Sequence, residues 1–173
     1  MIRRMTAADI PRVAEIHVMG WRSAYRGIVS DDYLFNELLV SKRIVKLEEY
    51  FKQDPEFYVY DDGIIKAFLT AAVGSDDDMP DTLVLEALYV DTFMQKCGIG
   101  SELVLLFEKI AAERNYKRVY LWTFEGNANA RAFYEKRGYT HDGTRKVIGN
   151  RGWVGVRYVK EILSYTDLQS NSN

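Results

Sequence analysis

A chain of 173 residues, 47% of them hydrophobic, is long enough to bury the core of one domain and too short for two full ones. A net charge of −2 argues against nucleic acid as the main partner. The single Cys97 excludes an internal disulfide framework and a cysteine zinc cluster, and His17 and His141 lie too far apart for metal-ligand spacing, so no metal is expected.

The N-terminus, MIRRMTAADIPRV, lacks the apolar run of a signal peptide, and no stretch approaches the ~20 apolar residues of a membrane span. A soluble, cytoplasmic protein is the expectation, with no membrane partner. Ile2 to Met5 suits a short strand. Asp9 can cap a helix with Pro11 in its first turn, and Ile10, Val13, Ala14 and His17 follow at helical spacing. Gly20 and Gly27 are read as interruptions, which makes WRSAYRGIVSDD an irregular helical segment. Ser30 or Asp31 can start another helix. A longer one runs from about Ser41 to Phe51, with Ile44, Leu47 and Tyr50 or Phe51 on one face. EFYVYDDGIIKAFLTAAV is a hairpin turning at Asp62-Gly63.

GSDDDMPD reads as a polar loop with Asp76 to Asp78 solvated, or weakly attractive to polyamines. TLVLEALYV is a strand. Gly98 to Arg114 is helical, with Leu103, Leu106, Phe107 and Ile110 as its buried stripe. RVYLWTF is another strand. GNANARAFYEKRGY is a short helix that Gly138 can end in the left-handed conformation. A second hairpin pairs Thr140–Val147 with Trp153–Ile162 across GNRG. The expected organisation is one α/β domain over residues 1–163 with a polar tail over 164–173, where SYTDLQSNSN fits fraying.

The stretch MQKCGIGSELV places two glycines and a cation at the mouth of a helix. Gly98 and Gly100 permit unusual backbone angles and remove Cβ atoms that would block a ligand. The helix that follows offers unpaired N–H groups and the positive end of its dipole. That combination suits an anion, phosphate above all. A plain tight turn is the alternative. The dinucleotide fingerprint fails at Leu103, and the P-loop lysine and hydroxyl are missing.

LYVDTFMQKCGIG resembles motif A of the GNAT superfamily of N-acetyltransferases, with Gln95, Gly98 and Gly100 following Leu88-Tyr89-Val90. NANARAFYEKRGY resembles a second segment of that superfamily through Asn127, Ala130, Phe133, Tyr134, Glu135, Lys136, Gly138 and Tyr139. The two matches stand in the right order, one strand apart. HVMGWRSAYRGIVSDDYL is similar, more loosely, to a branch acting on small molecules. The resemblance covers Met1 to about Ile162.

It implies a GNAT fold, a mixed and mostly antiparallel sheet of about seven strands flanked by helices and splayed near the acetyl-CoA site. It also implies acetyl transfer from acetyl-CoA, as cosubstrate, to an amine. The CoA pyrophosphate would lie on backbone N–H groups from Gln95 through Lys96, Cys97, Gly98, Ile99 and Gly100 to Ser101. The pantetheine arm would pair with Leu88, Tyr89 and Val90. Asn127 would hydrogen-bond that arm, and Lys136 would lie near the phosphates. Tyr134 would protonate the leaving thiolate, with a core tyrosine as the alternative. A backbone N–H near Val90 would meet the oxyanion.

A primary amine is protonated at neutral pH and must lose a proton before it attacks. Glu86, an acid within an apolar strand, is the candidate base or substrate-binding group; a structural carboxylate paired with an arginine is the alternative. Cys97 has no histidine as a sequence neighbour, which disfavours an acyl-cysteine route. His17 and His141 read as surface or packing residues. Trp21, Tyr25, Trp122 and Trp153 could line an acceptor pocket, but large aromatics are usually core. Trp21 and Tyr25 sit in the segment that covers the acceptor side in relatives. A small-molecule amine (polyamine, amino acid or similar) or a peptide is the expected acceptor, and a homodimer is compatible. The competing readings are a non-catalytic acyl-CoA sensor and a nucleotide-binding domain.

Overall fold

The computed structural model describes residues 1–162; the expected tail at 164–173 lies outside the described residues. Its elements, in chain order, are β1 (Ile2–Arg4), α1 (Ile10–Ala24), α2 (Val40–Phe51), β2 (Glu56–Asp61), β3 (Ile65–Val73), β4 (Thr82–Val90), α3 (Ile99–Glu113), β5 (Arg118–Phe124), α4 (Ala128–Glu135), β6 (Thr140–Ile148) and β7 (Trp153–Glu161). The strands form one seven-stranded sheet in the order β1-β2-β3-β4-β5-β7-β6. β4 runs parallel to β5; the pairs β1–β2, β2–β3, β5–β7 and β6–β7 are antiparallel. The parallel register extends from Thr82–Arg118 to Leu85–Leu121, while β4 runs on to Val90 and β5 to Phe124.

The chain divides into two compact units. The first holds Met1–Ala71 and Ala87–Leu103, and the second holds Ala72–Glu86 and, among the described residues, 104–162. In the first, β2 and β3 turn where Asp62-Gly63 predicts. Gly63 takes φ +102, and its N–H donates to Asp61 Oδ1 at 2.9 Å. The core there is Met5, Ile10, Val13, Ala14, Ile16, Leu47, Phe57, Val59, Ile65 and Phe68, with Ile44, Tyr50 and Phe51 packed against it. Asp9 precedes α1, but its carboxylate does not cap that helix. It accepts from the Thr6 N–H and from both Arg3 nitrogens at 2.7–2.9 Å. The helix expected at Ser30 or Asp31 does start at Asp31 and widens into a π-helix at Tyr33–Glu37. Arg22 donates to the carbonyls of Leu34 and Leu38 and fixes that segment against α1.

Gly20 corrects the sequence reading. α1 passes through it without a break. A Cβ at Gly20 would stand 2.6 Å from Cδ1 of Tyr89, so the glycine is there to admit that ring. Gly27, with φ +80, lies beyond the end of the helix.

In the second unit, β6 and β7 pair across a turn at Gly149 and Gly152, and a bulge lies between His141 and Arg145. Gly138 follows α4 with φ +80, as expected of a helix-ending glycine. The aspartate loop is not simply solvated. Asp76 accepts from Trp122 Nε1 at 2.9 Å, from Lys146 at 3.0 Å and from Arg157 at 3.2 Å. Arg157 also donates to Asp78 and Asp142 at 2.7 Å and to Thr144 at 3.0 Å. Burial would raise the Asp76 carboxyl, but the Lys146 and Trp122 hydrogen bonds outweigh it and hold it below its usual range. With Asp76 and Asp78 already paired to Lys146 and Arg157, the loop is a poor polyamine trap, and Trp122 belongs to this cluster. Trp153 packs on Phe124.

Candidate active site

β4 ends in a turn that is fixed from two sides. The Asp91 N–H donates to the Lys66 carbonyl at 2.7 Å, and the Asp91 carboxylate pairs with Arg12 and accepts from the Phe93 N–H at 2.9 Å. The chain then passes through extended Gln95 (φ −71, ψ 158), left-handed Lys96 (φ +64) and left-handed Gly98 (φ +86) before α3 starts at Ile99. Gly98 O is the first helical acceptor, taking the N–H of Ser101 at 2.8 Å and of Glu102 at 3.1 Å. The amides ahead of Ser101 belong to the helix end, where donors have no intrahelical acceptor. A Cβ built on Gly98 meets nothing within 4 Å, so the space over the turn is open to a ligand. Gln95, Lys96 and Cys97 are exposed and Ile99 is buried.

Leu88, Tyr89 and Val90 are half-buried at the end of β4. The Tyr89 hydroxyl lies 3.2 Å from that of Tyr25. Trp21 is edge-on to Tyr25 at 4.8 Å and stacked with His17 at 5.7 Å. His17 also faces Tyr89 at 5.0 Å and is buried, so its packing role holds and a surface role does not. His141 is exposed, 5.7 Å from Tyr158.

In the second unit, Asn127 caps α4. Its Oδ1 accepts from the Ala130 N–H at 3.1 Å, so the cap engages the oxygen of the amide and not its N–H groups. Tyr134 is 8% exposed and touches the rings of Phe133 and Tyr139 at 5.1 and 5.6 Å. Lys136 is exposed at the end of the same helix. Glu86 is exposed as well, so β4 carries it without burying a charge.

The Acetyltransferase (GNAT) family profile matches residues 22–139. A probable N-acetyltransferase of Mycobacterium tuberculosis, Rv2775, is 30% identical over 147 residues, covering 82% of this chain and 80% of that protein. The chain belongs to the GNAT family. It is an N-acetyltransferase that uses acetyl-CoA as cosubstrate. Among solved structures, the PaiA N-acetyltransferase of Thermoplasma acidophilum in complex with coenzyme A superposes with a TM-score of 0.72 at 21% identity, over 91% of this chain and 96% of that one. A GCN5-related N-acetyltransferase of Rhodopseudomonas palustris gives 0.76 at 19% identity, over 94% and 95%. At these identities the likeness concerns the fold.

For a GNAT enzyme, the sequence locates the turn from Gln95 to Ser101 and the α4 segment well, because each is contiguous. Three features lie outside its reach. Lys96 takes a left-handed backbone that nothing in QKCG demands of a lysine. Gly20 serves Tyr89, far along the chain. Arg43 looks like the solvated face of an amphipathic helix, yet it is half-buried with a fully enclosed Nε. Among the described residues, no group of three or more His, Cys, Asp or Glu is arranged to hold a metal, and no helix is long and apolar enough to cross a membrane.

Proposed function

We propose that this enzyme acetylates the primary amine of a small molecule or peptide by direct attack on acetyl-CoA, with both substrates bound together. The observation that carries the reading is the open turn at Gln95–Gly98, left-handed at Lys96 and Gly98, feeding its amides into the start of α3. Such an arrangement offers backbone donors and a helix dipole to a pyrophosphate. The backbone of Leu88–Val90 pairs with the pantetheine arm, Asn127 donates to it, and Lys136 supplies charge for the phosphates.

Glu86 takes the proton that the ammonium must lose, directly or through water, and the freed nitrogen attacks the thioester carbon. A backbone N–H near Val90 steadies the charge gathering on the carbonyl oxygen. As the C–S bond breaks, the Tyr134 hydroxyl protonates the departing sulfur, and the second proton shed by the nitrogen as the amide forms restores that hydroxyl through water. The net products are an acetamide, CoA thiol and one proton. An exposed Glu86 fits a role in contact with solvent and an amine. Cys97 has no part in the transfer. Its thiol lies against the Gln95 carbonyl at 3.6 Å, which supplies no base. Cytoplasmic location is part of the same reading.

Tyr134→Phe tests the acid. The ring and its packing stay, so acetyl-CoA should bind as before while turnover falls about 10²–10⁴-fold, the usual worth of general-acid help. Thiol-release kinetics beside calorimetric acetyl-CoA titration separate the two. Turnover within about threefold of the parent, far short of that range, would make Tyr134 a packing residue.

A further inference from the structure

The first unit contains a group of aromatic side chains with unmet polar capacity inside it. His17 and Trp21 come from α1, and Tyr89 from β4. Tyr33 stands 5.9 Å from Trp21, and Tyr25 bonds Tyr89. His17 is 6% exposed, and its Nδ1 has no hydrogen-bond partner. Burial, then the positive charges of Arg43 and Lys46, drives its pKa well below the ordinary value, so the ring is neutral at physiological pH.

Arg43, from α2, adds a charge to the same group. Its Nε is enclosed without a partner, and among the described residues no carboxylate pairs with it. Burial lowers its pKa, and the groups that offset this are the phenols of Tyr89, Tyr33 and Tyr50. A phenol is neutral at physiological pH, whereas a guanidinium stays charged. Other arginines of this chain are provided for differently: Arg3, Arg4, Arg12, Arg118 and Arg157 each meet a carboxylate. Burying a cation without an anion is costly unless a ligand supplies the anion.

We infer that the acceptor amine carries a carboxylate, and that Arg43 binds it among the rings of Trp21, Tyr25, Tyr33 and Tyr89. The inference rests on the acetyl-transfer reading for its chemistry but not for its binding. The planar guanidinium fork matches a carboxylate in two parallel hydrogen bonds. The aromatic faces suit the ammonium end or an apolar side chain of the same molecule. The neutral His17 ring offers one more polar contact without charge. The acceptor class is therefore amino-acid-like, and a purely cationic polyamine is disfavoured by the Arg43 charge.

The test uses matched pairs, phenylalanine with phenethylamine and lysine with cadaverine, in a CoA-release assay on the intact enzyme. The parent should favour the carboxylated member by about 10–100-fold in kcat/KM, the worth of a charge-assisted pair. In Arg43→Met that preference should collapse through KM, and Arg43→Lys should restore part of it. A parent that prefers the decarboxylated members, or a preference unchanged in Arg43→Met, overturns the inference. Thermal melts with the same compounds give a reading independent of turnover. Stabilisation of the parent, but not of Arg43→Met, by the carboxylated members upholds the inference even if no amine releases CoA, in which case the transfer reading alone has failed. Equal stabilisation of both proteins, or of neither, overturns it. Without ligand, Arg43→Met should melt at or above the parent; a clear drop would make Arg43 a structural residue and overturn the proposal.

Discussion

Arg157 is withdrawn from water and Arg43 is half-buried with an enclosed Nε, and the chain provides for them in opposite ways. Arg157 is 3% exposed and gives its donors to Asp76, Asp78, Asp142 and Thr144. Arg43 has aromatic neighbours and an enclosed, unbonded Nε. The first arrangement leaves nothing over for a ligand. It ties the loop before β4 and the strands β6 and β7 into one polar cluster within the second unit. The second keeps an unfavourable charge in place, and a fold that stands only a few kcal/mol above unfolding keeps such costs mainly where function needs them. A buried charge is informative through what it lacks.

The comparison breaks most directly at Arg157. Arg157→Met leaves Asp76, Asp78 and Asp142 facing one another without their shared cation. Removing one partner of a buried ionic cluster costs about 3–5 kcal/mol, and the lower end applies here because the Asp78 side chain is 63% exposed. Urea unfolding should show the loss, alongside the neutral or opposite effect at Arg43. If Arg157→Met cost no more than Arg43→Met, saturation would not distinguish the two.

A third cluster asks whether saturation or position in the fold matters. Arg3 lies in the first unit with Arg43, yet it is bound by Asp9 and Asp61. The Arg3 hydrogen bond, opposed by burial and aided by Thr6, lowers the Asp9 carboxyl from 3.8 to about 2. A depressed carboxyl pKa adds stability above the unfolded value. That stability is lost as pH falls from about 4 through about 2. The shift corresponds to about 2 kcal/mol. Asp9→Asn removes it, so the stability gap between parent and variant should narrow by about that much between pH 5 and pH 2. A gap constant across that range would show that Asp9 does not report its pairing through protonation.

These clusters mark what the sequence reveals and what it hides. The Asp62-Gly63 turn and the Gly138 helix end are written in adjacent residues and stand where expected; of the helically spaced stripe, Leu103, Phe107 and Ile110 are buried and Leu106 is half-buried. Asp76 to Asp78 reads as a solvated run because Arg157, which neutralises it, is remote in sequence. Gly20 reads as a break because the ring it admits belongs to β4. Of the residues proposed to act, those of the turn at Gln95–Ser101 and Asn127 and Tyr134 of α4 are legible as contiguous motifs. Arg43 is not, since a helix of VSKRIVKLEEYF does not announce which of its cations is enclosed. Local chemistry is legible in sequence; pairing across the fold is not.

Lys96 carries the same logic to its smallest scale. Its φ of +64 is a conformation that side chains resist and glycine accepts, and it lies in the turn proposed for the pyrophosphate. A left-handed non-glycine residue costs roughly 1–2 kcal/mol, while glycine costs about 0.5–1 kcal/mol of extra chain entropy on folding. Lys96→Gly should therefore stabilise the protein by up to about 1 kcal/mol. Lys96→Ala keeps the strain and also loses the ammonium, so it separates the two effects. Both variants should raise the KM for acetyl-CoA a few-fold, because an exposed ammonium near phosphate is worth only about 0.2–1 kcal/mol. Thermal melts should place the glycine variant above the alanine variant while their KM values agree. If the alanine variant melted as high as the glycine one, the left-handed turn would carry no strain, and Lys96 would be kept for its charge alone.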